Sequence, residues 1–215
     1  MIVYWILLLL IAFLGYFTGS VSTLRVASRF VFKRNLRRLG TDSVFLSNFR
    51  RLYGWWGAVR LLLTEVLKDL LPILFGSLLL SLKGHAAVGA AFGAFCMMLG
   101  RLWPVFNRFK GGHGCMALIL IGLLIEPSVG ITAALGVAAG IWFGKSFTVG
   151  AMAGTLVMAI VAVMVVEEQL ILIITALICL QMLLRHIPSI RRILRGQEEK
   201  LSLAEDLSYK FDEKF

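Results

Sequence analysis

The chain has 215 residues, of which 59% are hydrophobic and 16% charged, with a formal net charge of +10. Apolar runs of roughly 20 residues recur along it, which excludes an ordinary soluble domain and predicts helices that satisfy their own backbone inside a bilayer. Too little polar sequence remains for a second domain, so residues 1–215 are expected to form one polytopic membrane domain.

Hydropathy places seven spans, at about 2–19, 57–82, 85–101, 113–126, 128–144, 149–166 and 169–185. The first, "MIVYWILLLLIAFLGYF", has no basic residues before it and no clear small-x-small cleavage site after it, and reads as an uncleaved helix. The second carries Arg60, Glu65, Lys68 and Asp69. Glu65 precedes Lys68 and Asp69 by three and four positions, so the three share one helix face and are expected to turn inward. The fourth span is short and runs into Glu126-Pro127, where proline favours a boundary over one continuous helix. Cys96, Cys115 and Cys179 form no CxxC pair and read as small buried residues, not as a disulfide framework or zinc site.

Orientation follows from the basic residues. Eight lie in 20–56, three in 101–114, one is Lys145, and seven lie from Arg185 onward, placing 19 of the 22 on one side if the spans alternate. The opposite connections hold Lys83, Glu126, Glu167 and Glu168. This positive-inside pattern predicts a seven-transmembrane-helix, all-α bundle with its N-terminus outside. Loops at about 20–56, 102–114 and 144–148 and a tail at about 186–215 would be cytoplasmic. The surplus charge reports topology and contact with the lipid bilayer, not nucleic acid.

Between the third and fourth spans lies "RLWPVFNRFKGGHG", residues 101–114. Gly111, Gly112 and Gly114 permit close backbone approach to a ligand, the next helix offers its positive end, and Lys110 adds a point charge. Successive N–H donors suit a tetrahedral phosphate, although the spacing is not that of a P-loop. An ordinary turn at the headgroups, anchored by Trp103 and the basic side chains, would have the same composition. The third loop, "FGKSFTVG", supplies Lys145, Ser146 and Thr148 as donors, and "LLRHIPSIRRILRGQEEKL" continues the last span as a basic amphipathic segment.

Three stretches carry a resemblance. "GRLWPVFNRFKGGHG" from Gly100 is in register with a loop motif close to GHxFPxFxxFKGGKG. "RHIPSIRRILRGQE" from Arg185 is similar to RHxxNIxRLLxGxE, and "GTDSVFLSNFRRLYG" from Gly40 follows GSGNxGATNxxRxxG at Asn48, Arg51 and Gly54. The chain therefore resembles the acyl-phosphate:glycerol-3-phosphate acyltransferases of bacterial membranes, the PlsY family. The resemblance implies seven spans, a multi-pass place in the bacterial cell membrane, and transfer of an acyl group from acyl phosphate to the 1-hydroxyl of glycerol 3-phosphate in phospholipid synthesis. It implies no metal, no cofactor, no soluble acyl carrier and no obligatory protein partner.

By the same resemblance, Lys110, His186 and Arg51 are the catalytic candidates. Thr41, Asn48, Gly111, Gly112, His113, Gly114, Thr148, Ser189 and Arg101 would bind substrate. Several positions depart from the pattern. Arg101 stands for a family His, His113 for the GGKG lysine, and Ser189 for an Asn. Phe147 replaces one member of a Ser-Ser pair, and Asp42 and Phe45 replace glycines. A second reading is a weakened paralogue that binds lipid phosphates or regulates phospholipid synthesis. A transporter would be expected to show inverted repeats and midplane breaks, whereas the polar residues here gather at one face. Asp42 puts a negative charge beside a phosphate site, so Asp42→Gly is expected to raise the acyl-transfer rate. An unchanged or lower rate would give Asp42 a positive role.

Overall fold

The computed structural model describes residues 2–23, 45–109, 111–112 and 114–194, with the backbone alone for 45–53, 58 and 191–194. Among these residues the chain forms seven α-helices: α1 (Ile2–Ser20), α2 (Phe45–Ser81), α3 (Ala86–Leu102), α4 (Cys115–Ile125), α5 (Pro127–Gly144), α6 (Phe147–Val165) and α7 (Gln169–Leu194). Five of them, α1, α3, α5, α6 and α7, are long and apolar enough to cross a membrane.

Most boundaries fall where the sequence puts them. Glu126 caps α5 with an extended backbone and Pro127 takes the first helical position, where its missing N–H costs no hydrogen bond. Two boundaries move. Residues 45–53, expected within a loop, are helical, because Phe45, Leu46, Phe49 and Tyr53 repeat at helical spacing beside the basic pair. That helix turns at Gly54, whose φ of 70° and ψ of −177° separate it from the long remainder of α2. At the other end, α7 runs on through Pro188 to Leu194 and absorbs the start of the expected tail.

The packing has two groups and a seam. α3 packs on α1 and α2, α5 packs on α4 and α6, and α7 lies against both α3 and α6. One apolar core runs through the seam, from Ile73 of α2 through Met97, Met98 and Leu102 of α3 to Leu118, Val129, Met158, Ile178 and Met182. Lipid cannot drive helices together by hydrophobicity, so close backbone approach matters more than it does in water. At the α2–α3 crossing a Cβ on Gly89 would strike the backbone carbonyl of Gly76 and lie 2.8 Å from the Leu80 Cβ. Leu, Trp and Phe side chains outside this core face outward, among them Trp5, Leu74, Trp142 and Phe143.

Gly89→Val is expected to cost about 1–3 kcal/mol of folded stability, the usual range for overpacking. A lower unfolding midpoint for the detergent-solubilised variant checks this, and an unchanged midpoint would mean that the crossing can open without loss.

Candidate active site

The site forms where the ends of α1, α3, α6 and α7 meet. The chain leaves α3 at Trp103, whose carbonyl accepts a hydrogen bond from the Tyr16 hydroxyl at 2.9 Å. Pro104 starts a short 3-10 turn, Val105–Asn107. The N–H groups of Asn107 and Phe109 both donate to the Pro104 carbonyl at 3.0 Å. Phe106 meets Phe17 of α1 edge-on with ring centroids 5.8 Å apart. These contacts hold Arg108 and Phe109 in consecutive left-handed conformations, with φ of 50° and 59°. Each costs of order 1–2 kcal/mol for a residue with a Cβ, so the surrounding contacts must impose them.

The glycines then do three different things. Gly111 lies flat on the end of α3, where a Cβ would run into the carbonyl oxygens of Arg101 and Leu102. Its own carbonyl accepts a hydrogen bond at 2.7 Å from the Arg185 guanidinium, which ties the loop to α7. Gly112 faces open space and is exposed. Gly114 has a φ of 73° and is buried at the entry to α4, where a Cβ would stand 2.9 Å from the Met182 sulfur. Because Gly114 caps α4 without a side chain, the first amides of that helix point toward the loop.

Two further elements border this loop. The start of α4 lies beside the start of α6, with the Cys115 thiol 3.8 Å from the Phe147 carbonyl. There Lys145 turns the chain with a φ of 47°, Ser146 caps α6, and the N–H of the fully buried Thr148 donates to the Ser146 hydroxyl at 3.2 Å. On α7, His186 is 3% exposed and its Nδ1 lies 2.7 Å from the Met182 carbonyl. A neutral ring donating there carries its proton on Nδ1 and presents a lone pair at Nε2. Ser189 follows one turn on, also buried.

Arg101 is placed differently from the other candidates. Its guanidinium turns toward α2, where Nη2 bonds to Glu65 Oε1 and lies 2.9 Å from Asp69 Oδ2. Lys68 Nζ stands 3.7 Å from Glu65 and 3.6 Å from Asp69, and donates to the Val21 carbonyl at 2.9 Å. The sequence shows the shared face on the second span, but not that Arg101 completes it. The available signal is the level of the charges. Two antiparallel spans joined by a short turn bring the start of one beside the end of the next.

Gly111, Gly114, Arg185 and Met182 are thus brought into contact, with His186 and Ser189 further along the same helix. Thr41, Lys110 and His113 lie outside the described residues, as do the side chains of Asn48 and Arg51. Lys110 and His113 nonetheless bracket the glycines, between Phe109 and Gly114.

The family model for glycerol-3-phosphate acyltransferase matches residues 9–196. The glycerol-3-phosphate acyltransferase of Thermoanaerobacter pseudethanolicus is 25% identical over 193 residues, covering 89% of this chain and 94% of that protein. The protein of the same name from Anaeromyxobacter dehalogenans is 30% identical over 189 residues, covering 87% and 94%. Among solved structures, PlsY (YgiH), an integral membrane glycerol 3-phosphate acyltransferase in its glycerol 3-phosphate form, superposes with a TM-score of 0.72 at 22% identity, over 91% of this chain and 96% of that one. Its lysophosphatidic acid form gives 0.71 at 21% identity, over 90% and 94%. With the match running from within α1 to just past α7, the chain belongs to the glycerol-3-phosphate acyltransferase family.

Proposed function

We propose that this chain is a multi-pass enzyme of the bacterial cell membrane, with seven crossings and its N-terminus outside. It transfers an acyl group from acyl phosphate to the 1-hydroxyl of glycerol 3-phosphate, giving lysophosphatidate and inorganic phosphate. The observation that carries this reading is the glycine loop, seated on the end of α3 and tied through Gly111 to Arg185 of α7. Family membership supports the acceptor. The donor is argued from chemistry: both substrates then carry a phosphate, and one carries an apolar tail that can lie among the helices.

An acyl phosphate is already activated, so the protein need not supply a nucleophile. The acceptor hydroxyl attacks the acyl carbon, the carbon–oxygen bond to phosphate breaks, and the phosphate leaves with the electron pair. That phosphate is basic enough to take the hydroxyl proton, while His186, anchored through Nδ1 at the Met182 carbonyl, helps to orient the hydroxyl. Lys110, Arg51 and the amides around Gly112 and Gly114 bind phosphate charge, and Thr41, Asn48, Thr148, His113 and Ser189 complete the substrate contacts. Catalysis then comes from positioning and from stabilising the leaving phosphate.

Lys110→Ala is expected to lower turnover by about 10²–10³-fold, the usual loss for a group that stabilises developing charge, with membrane insertion intact. Phosphate release from a long-chain acyl phosphate by purified, detergent-solubilised protein, with and without glycerol 3-phosphate, measures it. Equal rates for the two proteins would remove Lys110 from the site. Release that ignores the acceptor would make the chain a hydrolase.

A further inference from the structure

The four charged side chains beside the site have no role in the reaction just described. Glu65, Lys68, Asp69 and Arg101 are 15%, 16%, 2% and 11% exposed, in an otherwise apolar bundle. Their formal charges sum to zero. They also bind three chain segments together: Lys68 reaches the Val21 carbonyl just past α1, Glu65 and Asp69 stand on α2, and Arg101 stands on α3.

Arg101 is poorly placed to serve a phosphate. Its Nη2 already meets Glu65 and both oxygens of Asp69, at 2.9 Å and 3.2 Å in the second case. A phosphate drawn to this guanidinium would approach two carboxylates at the same time, and a neutral cluster offers little long-range attraction to an anion. What Arg101 does touch is the loop's foundation. Its own carbonyl and that of Leu102 are the surface on which Gly111 lies, and Gly111 is the residue that Arg185 holds from the other side. Anchoring the guanidinium therefore restrains the same residue whose carbonyl floors the glycine loop.

We propose that Arg101 is a positioning residue whose partner is Asp69: the pair fixes the end of α3, and through its backbone the glycine loop, without touching substrate. This role rests on the acyltransferase reading for its kinetic consequence, but the pairing itself does not. Removing one partner of a buried ion pair leaves an uncompensated charge, whereas removing both leaves a neutral site that is often tolerated. Neighbouring groups that act together are then strongly non-additive.

The test is a double-mutant cycle of Arg101→Gln, Asp69→Asn and the two combined, with Arg101→Lys as the conservative variant. Each single neutral variant is expected to lose about tenfold or more in kcat, with KM for both substrates within about threefold. The double variant is expected to regain most of the loss. Arg101→Lys keeps the charge without the planar fork, and should keep KM while lowering kcat. A large rise in KM on Arg101→Gln that Asp69→Asn does not relieve would overturn the proposal, as would a KM-only defect in Arg101→Lys. If a neutral single variant fails to insert, insertion of the double variant supports the pairing, and failure of the double variant where a single one succeeds overturns it. Should both Arg101→Gln and the double variant fail, the split between KM and kcat in Arg101→Lys decides. Lack of acceptor-dependent release by the unsubstituted chain would sink the acyltransferase reading alone. Unfolding midpoints in detergent would then judge the pairing, restored in the double variant if it holds and lowered additively if it does not.

Discussion

Two cations and two carboxylates, largely withdrawn from solvent, constrain the rest of this bundle. An ion taken out of water loses several kcal/mol even after relaxation, so each of the four depends on the others staying in place. Glu65 and Asp69 lie on one face of α2, one turn apart, and Arg101 must come down α3 to the same level to meet them. Sliding α3 along α2 by a single turn would part Arg101 from both carboxylates and leave the three charges of α2 with a net negative charge. The register of α3 on α2 is thus pinned by charge, and Lys68 adds a hydrogen bond to the chain just past α1. The glycines at their crossing let the backbones come close enough for short side-chain contacts to form.

From that fixed register the site is assembled by contact. The end of α3 supports Gly111, Gly111 accepts from Arg185, and Arg185 stands on α7, which packs against both groups of the bundle. Aromatic contacts from α1 hold the preceding turn, so that two non-glycine residues keep left-handed backbones just before Lys110. Gly111 and the turn before it are thus held from α1, α3 and α7. That suits the proposed reaction, which rests on placing an activated donor against the acceptor hydroxyl.

Hydropathy made most of this architecture legible. The third, fifth and sixth spans fall within a residue or two of α3, α5 and α6, and the break at Glu126-Pro127 is read directly from proline. The second predicted span is a helix, α2, but its charges keep it out of the five that are apolar enough to cross a membrane. The short helix before Gly54 was hidden because its apolar spacing is interleaved with Arg50 and Arg51 in a basic stretch. The extension of α7 was hidden because Pro188 and the basic residues read as a tail. At the site, the three glycines announced close approach, and Gly111 and Gly114 need it. The pairing of Arg101 with Asp69 and the left-handed backbone at Arg108 and Phe109 were not legible. One depends on two helices meeting, and the other on contacts that force a conformation which neither residue type prefers.

The eleven residues of α4 have a consequence for where chemistry meets the membrane. At ~1.5 Å per residue such a helix covers only ~16 Å, about half of a ~30 Å hydrocarbon layer. Its far end turns back through Glu126 and Pro127 into α5, and its near end lies beside the start of α6 and the end of α3. Upright in a bilayer, a helix this short would cover only part of the hydrocarbon depth that its longer neighbours cover. On the proposed acyl-transfer reading, that uncovered depth beside α4 is where the apolar tail of a donor would lie, with the small acceptor reaching the loop from the water side.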